Sequence, residues 1–543
     1  MFLYNVCGRF LLPSLIACQS CCQTAGQSMS TKEFPYPDSS QADERDRHFR
    51  TDHLTNNLGG HSARAGAVTL AAQLLKFAIA TVGAIVLARL LTPHDYGLIG
   101  MVVIIVNFVG MFPFLGLSTA TMRWSELNHQ QVSTLFWINV AMSAGVMLLT
   151  LASAPLLAWF YHEPRLIPIT AGYAISLLLM GFYVQHEAIL SRQMRFGAIA
   201  SVEIAAHAIG FTSAVIAALY GARYWALVLN QLVMNVATVI GVWALCKWRP
   251  GLPVRGSGVR AMLSFGGNLT GFNIMNYLAR NLDNALIGKF WGGFQLGLYS
   301  RAYQMLLTPM AQINAPLVSV AVPALSRLAD SPERYRAAYM KVLEKIAMLT
   351  MPLVAFMIAT SDWLIVFLLG EQWRESGRIF MWLGIAAIVQ PVARSVLWLF
   401  TTQGRSREMF RWGVIGSLIA IAAIIAGLPW GAMGVAASYA ITDVCISTPL
   451  LFWFVGRRGP VRSADLYRTI APAACAALLS LAAVVVARQW LALLNHLAVR
   501  LSVAVVITAG VSLLVLMILP AGRAAIRNST EMLLLMRKRE STI

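Results

Sequence analysis

Fourteen runs of 17–27 predominantly apolar residues dominate this chain. A helix needs about 20 such residues to cross the hydrocarbon core of a bilayer. The runs are Ala65–Ala88, Gly97–Met122, Leu135–Phe160, Leu166–Ile189, Ala198–Tyr220, Trp225–Cys246, Met262–Gly288, Ala302–Ala324, Ile346–Leu369, Ile379–Phe400, Trp412–Leu428, Ala432–Val455, Ile470–Val486 and Leu501–Leu519. Ile470–Val486 and Trp412–Leu428 are short for a span. The runs are continuous rather than alternating, which excludes a transmembrane β-barrel and predicts helices. Of 543 residues, 58% are hydrophobic and 12% are charged, about half the charged share of a soluble domain. The expected fold is an all-α polytopic membrane protein of about fourteen transmembrane helices.

The formal charge of +19 follows topology rather than nucleic acid. Of the 42 Lys and Arg residues, 24 fall in loops after even-numbered runs and in the C-terminal tail. Nine fall in the odd-numbered loops, six precede Ala65, and three lie within runs. The positive-inside rule places both termini in the cytoplasm. The basic loops also suit anionic lipid headgroups, so membrane lipids are expected partners and nucleic acid is not.

The seven cysteines show no disulfide framework: Cys7, Cys18, Cys21 and Cys22 crowd the N-terminus, and Cys246, Cys445 and Cys475 sit in or at runs. Cys18 and Cys21 have the CxxC spacing without a second ligand pair, so no metal is expected there. Leu15-Ile16-Ala17-Cys18 looks like a lipoprotein cleavage box, but lipidation would export a tail that the charge pattern keeps inside. Met29 is an alternative start. Ser30–His61 is polar and reads as disordered.

The chain repeats internally. Leu87-Ala-Arg-Leu-Leu-Thr-Pro-His-Asp-Tyr-Gly97-Leu98 matches Ile287-Gly-Lys-Phe-Trp-Gly-Gly-Phe-Gln-Leu-Gly297-Leu298 at an offset of 200. Ser118–Arg123 answers Val322–Arg327 at 204, and Gly221-Ala222 answers Gly431-Ala432 at 210. Each match opens or closes corresponding runs. Six runs per repeat keep both copies in one orientation, so the repeat is parallel, about an axis along the membrane normal. The expected organisation is an N-terminal extension (1–64), an N-lobe (65–250), a C-lobe (260–456), two further helices (468–520) and a C-terminal tail (521–543).

Polar residues stand on the first helix of each repeat. In the seventh run Asn273, Asn276, Arg280 and either Asp283 or Asn284 share one face at helical spacing. Gln73 and Lys76 are the counterparts of Asn273 and Asn276. A charge near mid-bilayer costs about 3 kcal/mol or more on insertion scales and must face a partner or a wet cavity. Two readings stay open. Asp283 pairs with Arg280 one turn away as structural glue, or Lys76 and Arg280 line a cavity between lobes and hold an anionic group. The guanidinium fork suits phosphate oxygens. Gln390 and Arg394 form a second buried patch in the tenth run, where Arg394 either lines the cavity or snorkels. Gln312 and Asn314 read as interhelical hydrogen-bonding groups. Glu203 and His207, i and i+4, are either a helix–helix contact or a proton relay, and Asp443 is a lone buried carboxylate that could hold a coupling Na⁺ or proton. The sequence carries no phosphate-gripping loop, no zincin motif and no nucleophile elbow. No cofactor is expected beyond coupling Na⁺ or H⁺.

The segments VLARLLTPHDYGLIGM, LGLSTATMR, LDNALIGKFWGGFQLGLYSRAYQM and INAPLVSVAVPALSRL resemble the polysaccharide transporters of the multidrug/oligosaccharidyl-lipid/polysaccharide (MOP) flippase superfamily, in their Wzx-like branch. The resemblance spans roughly Ala65 to Arg468; family members usually lack so long an N-terminal extension. It implies two six-helix lobes related by a pseudo-twofold axis. It also implies carriage of undecaprenyl-diphosphate-linked oligosaccharide across a bacterial inner membrane, with polysaccharide polymerase and export machinery as further partners. The alternatives are a peptidoglycan-precursor flippase, a drug antiporter, which would want an acidic cavity, and a membrane polymerase or ligase, which would want a large catalytic outer loop.

Overall fold

The computed structural model describes residues 58–110, 121, 127–253, 260–520, 522, 523 and 527. Side chains are described within these from residue 71 onward, except for 260–276, 278–280 and 315. The N-terminal cysteines, the polar stretch 30–57, most of Ser118–Arg123 and the end of the C-terminal tail lie outside the described residues, as do the side chains of Asn273, Asn276 and Arg280.

Helices account for the expected runs wherever these are described. They are α1 (Leu58–Leu90), α2 (Pro93–Val109), α3 (His129–Tyr161), α4 (Leu166–Arg192), α5 (Phe196–Leu219), α6 (Trp225–Leu245), α7 (Arg260–Ser326), α8 (Pro332–Ala359), α9 (Ser361–Leu369), α10 (Arg374–Thr402), α11 (Ser406–Gly427), α12 (Gly431–Thr442), α13 (Thr448–Gly456), α14 (Ser463–Leu491) and α15 (Leu497–Ile518). Among the described residues ten helical stretches are long and apolar enough to cross a membrane, and an eleventh passes as a bent pair, Asn281–Asn314 with Pro316–Ser326. Of the three runs that separate eleven from fourteen, two lie in how runs join, and the third is the second run, of which α2 holds 17 described residues. The eleventh and twelfth runs form one stretch, Ser406–Gly456. The seventh and eighth join in α7 across Gly292, whose φ of 75° and ψ of −177° only glycine adopts readily. The runs that were short by sequence lie in full-length helices, α14 with 29 residues and α11 with 22.

The described chain divides into compact units at Gly297. The first runs to Gly297 and so takes in the seventh run. Its architecture is built on a cap. The Thr92 hydroxyl accepts from the Asp95 backbone N–H at 3.3 Å, and the Asp95 carboxylate accepts from the Thr92 N–H at 3.0 Å. With Pro93 at the first helical position, this closes the start of α2 reciprocally. The capped turn then meets Gly293-Phe-Gln-Leu-Gly297, a GxxxG spacing that lets helix backbones approach closely. A Cβ built on Gly97 would stand 1.7 Å from the Gly293 carbonyl oxygen, and one on Gly297 would stand 1.8 Å from that of Pro93. These two contacts are images of each other under the offset of 200, as a local twofold axis between the segments requires. The Gly-Leu pairs that mark the repeat are thus the glycines that let its copies touch. Elsewhere in this unit Asn139 donates to Gln185 at 3.2 Å, and Gln185 donates to Thr121 at 3.0 Å, tying helices by buried amides.

The second unit begins at Leu298. Its core gathers Tyr335, Tyr339, Phe400, Phe452 and Leu466 from α8, α10, α13 and α14. The Tyr335 and Tyr339 hydroxyls meet Thr402 at 2.5 Å and Ser395 at 3.2 Å. Arg488 of α14 fastens onto the α8–α9 corner: it donates to the Ala359 carbonyl at 3.1 Å and to Asp362 at 2.6 Å, and it stacks over Trp363. Between α12 and α13, Asp443–Ser447 form one wide π turn, in which the Thr448 N–H reaches back to the Asp443 carbonyl.

Candidate functional site

Among the described residues, charged side chains meet within the apolar helices of each unit. In the first unit, the long packing of α1 against α5 brings Lys76 to Glu203, with Nζ 2.8 Å from Oε2. The side chains are 15% and 30% exposed, so the pair is held mostly away from solvent. Glu203 lies seven residues, about two turns, inside α5. One turn on, His207 sets Nδ1 2.7 Å from the Glu203 backbone carbonyl. Glu187 of α4 lies within electrostatic reach of both Glu203 and Lys76.

The expected cation Lys76 is therefore matched by a carboxylate of its own unit. Sequence reading placed Glu203 beside His207 along one helix and overlooked its reach across to α1. Glu187 was not singled out at all. The available signal was that each is an acid within an apolar run, a rarity whose partner must come from another helix. Gln73 stands half-buried one turn before Lys76.

Along α7, Asp283 is 8% exposed, and its Oδ1 accepts from the Asn284 N–H at 2.7 Å. Its expected pairing with Arg280 lies outside the described side chains. Of the two amides expected in the eighth run, Asn314 is buried and Gln312 is exposed.

In the second unit α10 and α12 bring the predicted Gln390 and Arg394 together with Asp443. The Gln390 amide donates to the Tyr439 hydroxyl at 3.3 Å. Asp443 opens the wide turn and lies within reach of both the Gln390 amide and the Arg394 guanidinium. Its Oδ2 is buried without a hydrogen-bond partner among the described residues. Sequence spacing had put Gln390 with Arg394, but the carboxylate opposite comes from a helix 49–53 residues later in the chain. Among the described residues no group of three or more His, Cys, Asp or Glu is placed to hold a metal ion.

The architecture is that of a polytopic helical membrane protein: long apolar helices, paired copies meeting at glycines, and sparse charges within those helices. The solved structure of the lipid II flippase MurJ in its inward closed conformation shares the fold with a TM-score of 0.63 at 13% identity, over 83% of this chain and 98% of that one. An inward-facing multidrug resistance MATE family transporter of the MOP superfamily matches with a TM-score of 0.55 at 13% identity, over 74% and 99%. The chain belongs to the family described as polysaccharide biosynthesis protein, whose model matches residues 86–378. Among its relatives is the lipopolysaccharide biosynthesis protein WzxC of Escherichia coli (strain K12), 25% identical over 68% of this chain and 75% of that one. The present chain is thus a multi-pass membrane protein of the polysaccharide biosynthesis family that shares the fold of a solved flippase, as the sequence motifs led one to expect.

Proposed function

We propose that this protein carries an undecaprenyl-diphosphate-linked oligosaccharide from the inner to the outer leaflet of a bacterial inner membrane by alternating access, with both termini in the cytoplasm. The family match across residues 86–378 carries this reading. The intramembrane basic residues support it. A diphosphate crossing a low-dielectric interior needs compensating charge at each depth, and guanidinium groups supply it with bidentate geometry. Arg280, on the polar face of α7, and Arg394, on α10, are the residues assigned to that task. The lipid tail stays in the bilayer throughout, so only the headgroup has to be accommodated. The protein binds and releases its cargo and makes or breaks no bond in it. Coupling to a Na⁺ or H⁺ gradient would give the cycle its direction.

Two experiments test this. Purified protein in liposomes should move a fluorescent lipid-linked oligosaccharide between leaflets without lengthening it, and Arg280→Ala should abolish that movement at equal protein density. Growth of the glycan would instead make the protein a polymerase. Unimpaired movement by the Arg280 variant would reduce that residue to glue. Alkaline phosphatase fused near Pro93 should be active and near Gly251 inactive, and the reverse pattern would overturn the orientation.

A further inference from the structure

The last carbonyls of a helix lack donors within it. At the end of α3 the following turn supplies two. The His162 N–H reaches the Trp159 carbonyl at 3.4 Å, and the Glu163 N–H reaches that of Ala158 at 3.0 Å, with His162 left-handed at φ 57°. The Phe160 carbonyl would look four residues on, but Pro164 has no N–H. Its donor is Lys289 of α7. The ammonium donates to that carbonyl and, at 3.2 Å, to His162 Nδ1, and it stands 4.8 Å from the centre of the Phe160 ring. The ring face attracts a cation, and so does the negative end of the helix dipole. These three partners are neutral, so water can replace them without stranding an opposite charge. The contact joins the repeats, since α3 belongs to the first and α7 opens the second. Beside it a Cβ built on Gly288 would stand 2.9 Å from Tyr161, and one on Gly100 would stand 3.3 Å from the buried Leu296. With Gly97 on Gly293 and Gly297 on Pro93, these contacts make a seam of α7 against α2 and α3. Apolar burial along such a seam is non-directional; Lys289 adds a directional fastening.

We propose that Lys289 is a latch: seated on Phe160 and His162 it holds α7 against the α3–α4 turn, and it lets go when the seam parts to open the carrier at this end. The loop charges put this end outside. An alternating carrier must part its repeats at one end and then the other, so the fastening has to be firm enough to hold and weak enough to release. A charge-assisted bond to a leftover carbonyl meets both needs. This inference rests on the flippase reading for the place of the latch in a transport cycle, but not for its hold on the seam.

The latch is tested on the full chain with its seven cysteines replaced by serine and Leu296→Cys as a reporter inside the seam. A charged, membrane-impermeant maleimide is added from the outer side, and the alkylation rate is read. Lys289→Met should raise that rate several-fold, whereas Lys289→Arg, which keeps a cation, should stay near the parent. His162→Ala, at an exposed position that folding tolerates, should give a smaller rise. A rate unchanged in both Lys289→Met and His162→Ala overturns the latch. So does an equal rise in Lys289→Arg, or a rise seen only from the inner side. A second measurement closes the seam covalently. A Cβ on Gly100 would stand 3.5 Å from Leu296 Cγ, about where a cysteine sulfur would lie, so Gly100→Cys with Leu296→Cys can form a disulfide. In liposomes the oxidised pair should stop moving lipid-linked oligosaccharide, and a reductant should restore it. Undiminished movement by the oxidised pair means that the seam never parts, and overturns the proposal while the flippase reading stands. If the reduced protein and wild type move no lipid-linked oligosaccharide, the flippase reading fails, and the alkylation rates still decide the latch.

Discussion

Gly97→Ala probes the close approach on which the first unit is built. The added methyl would stand 1.7 Å from the Gly293 carbonyl oxygen and 2.4 Å from its carbon, whereas ordinary contact begins near 3.4 Å. Backbone would have to move by about 1.7 Å, and no side-chain rotation can supply that because both partners are main chain. Overpacking of this kind costs about 1–3 kcal/mol, and a unit of this size loses about 2–4 °C in Tm per kcal/mol. Gly297→Ala meets the Pro93 carbonyl at 1.8 Å and should behave alike. Gly413→Ala and Gly510→Ala are the controls: both positions are helical and a Cβ meets nothing within 4 Å, so the better helix propensity of Ala should leave Tm unchanged or slightly higher. The assay is thermal unfolding of purified protein in one detergent, alongside polysaccharide export in cells. If Gly97→Ala unfolds within 1 °C of Gly413→Ala, the glycine contact is absent and the twofold reading of the repeat loses its structural basis.

Lys76→Met leaves Glu203 without its partner and should destabilise by up to about 3 kcal/mol, whereas Lys76→Met with Glu203→Gln should recover most of that loss in the same unfolding assay. Arg488→Ala frees the α14 end from Asp362 and Trp363; because the Arg488 and Asp362 side chains are 33% and 43% exposed, the expected loss is about 1 kcal/mol, seen as earlier proteolysis in the 359–370 corner. Glu163, in the loop between α3 and α4, is held below the usual carboxylate range by its hydrogen bonds to Arg165. Its contribution is therefore present above the unfolded pKa and lost as pH falls through the lower folded value. Arg165→Gln should lower Tm slightly near pH 7, by less than about 1 kcal/mol for so exposed a pair, and the gap to wild type should close in acid.

The helices, their number to within joined pairs and the second run, and the repeat were legible because bilayer crossing imposes length and apolarity on every span. The glycine pairs were legible as repeat markers, but their purpose was not, since backbone contact between residues 200 apart leaves no periodic trace. The charged sites were half legible. Lys76, Gln390 and Arg394 stood out as polar residues in apolar runs, and their helical spacing showed which of them share a face. Their partners come from other helices, Glu203 on α5 and Asp443 at the wide turn, and a one-dimensional pattern does not say which face meets which. Asp443 was noticed as a solitary acid, and only the fold supplied the Arg394 beside it.

The wide turn at Asp443–Ser447 holds one residue more than the α-helix on either side of it. The packed stations before it, Val435, Ala436 and Ala440, and those after it, Leu451, Phe452 and Val455, keep their neighbours because the surplus is absorbed locally. A helix that can take up such a surplus can absorb a one-residue insertion without breaking. An ancestor or sister lacking one residue here could run straight through with its hydrophobic seams intact and only the segment around the aspartate re-aimed, so this turn is a point at which a lineage can add or remove a buried charge without rebuilding the helices on either side.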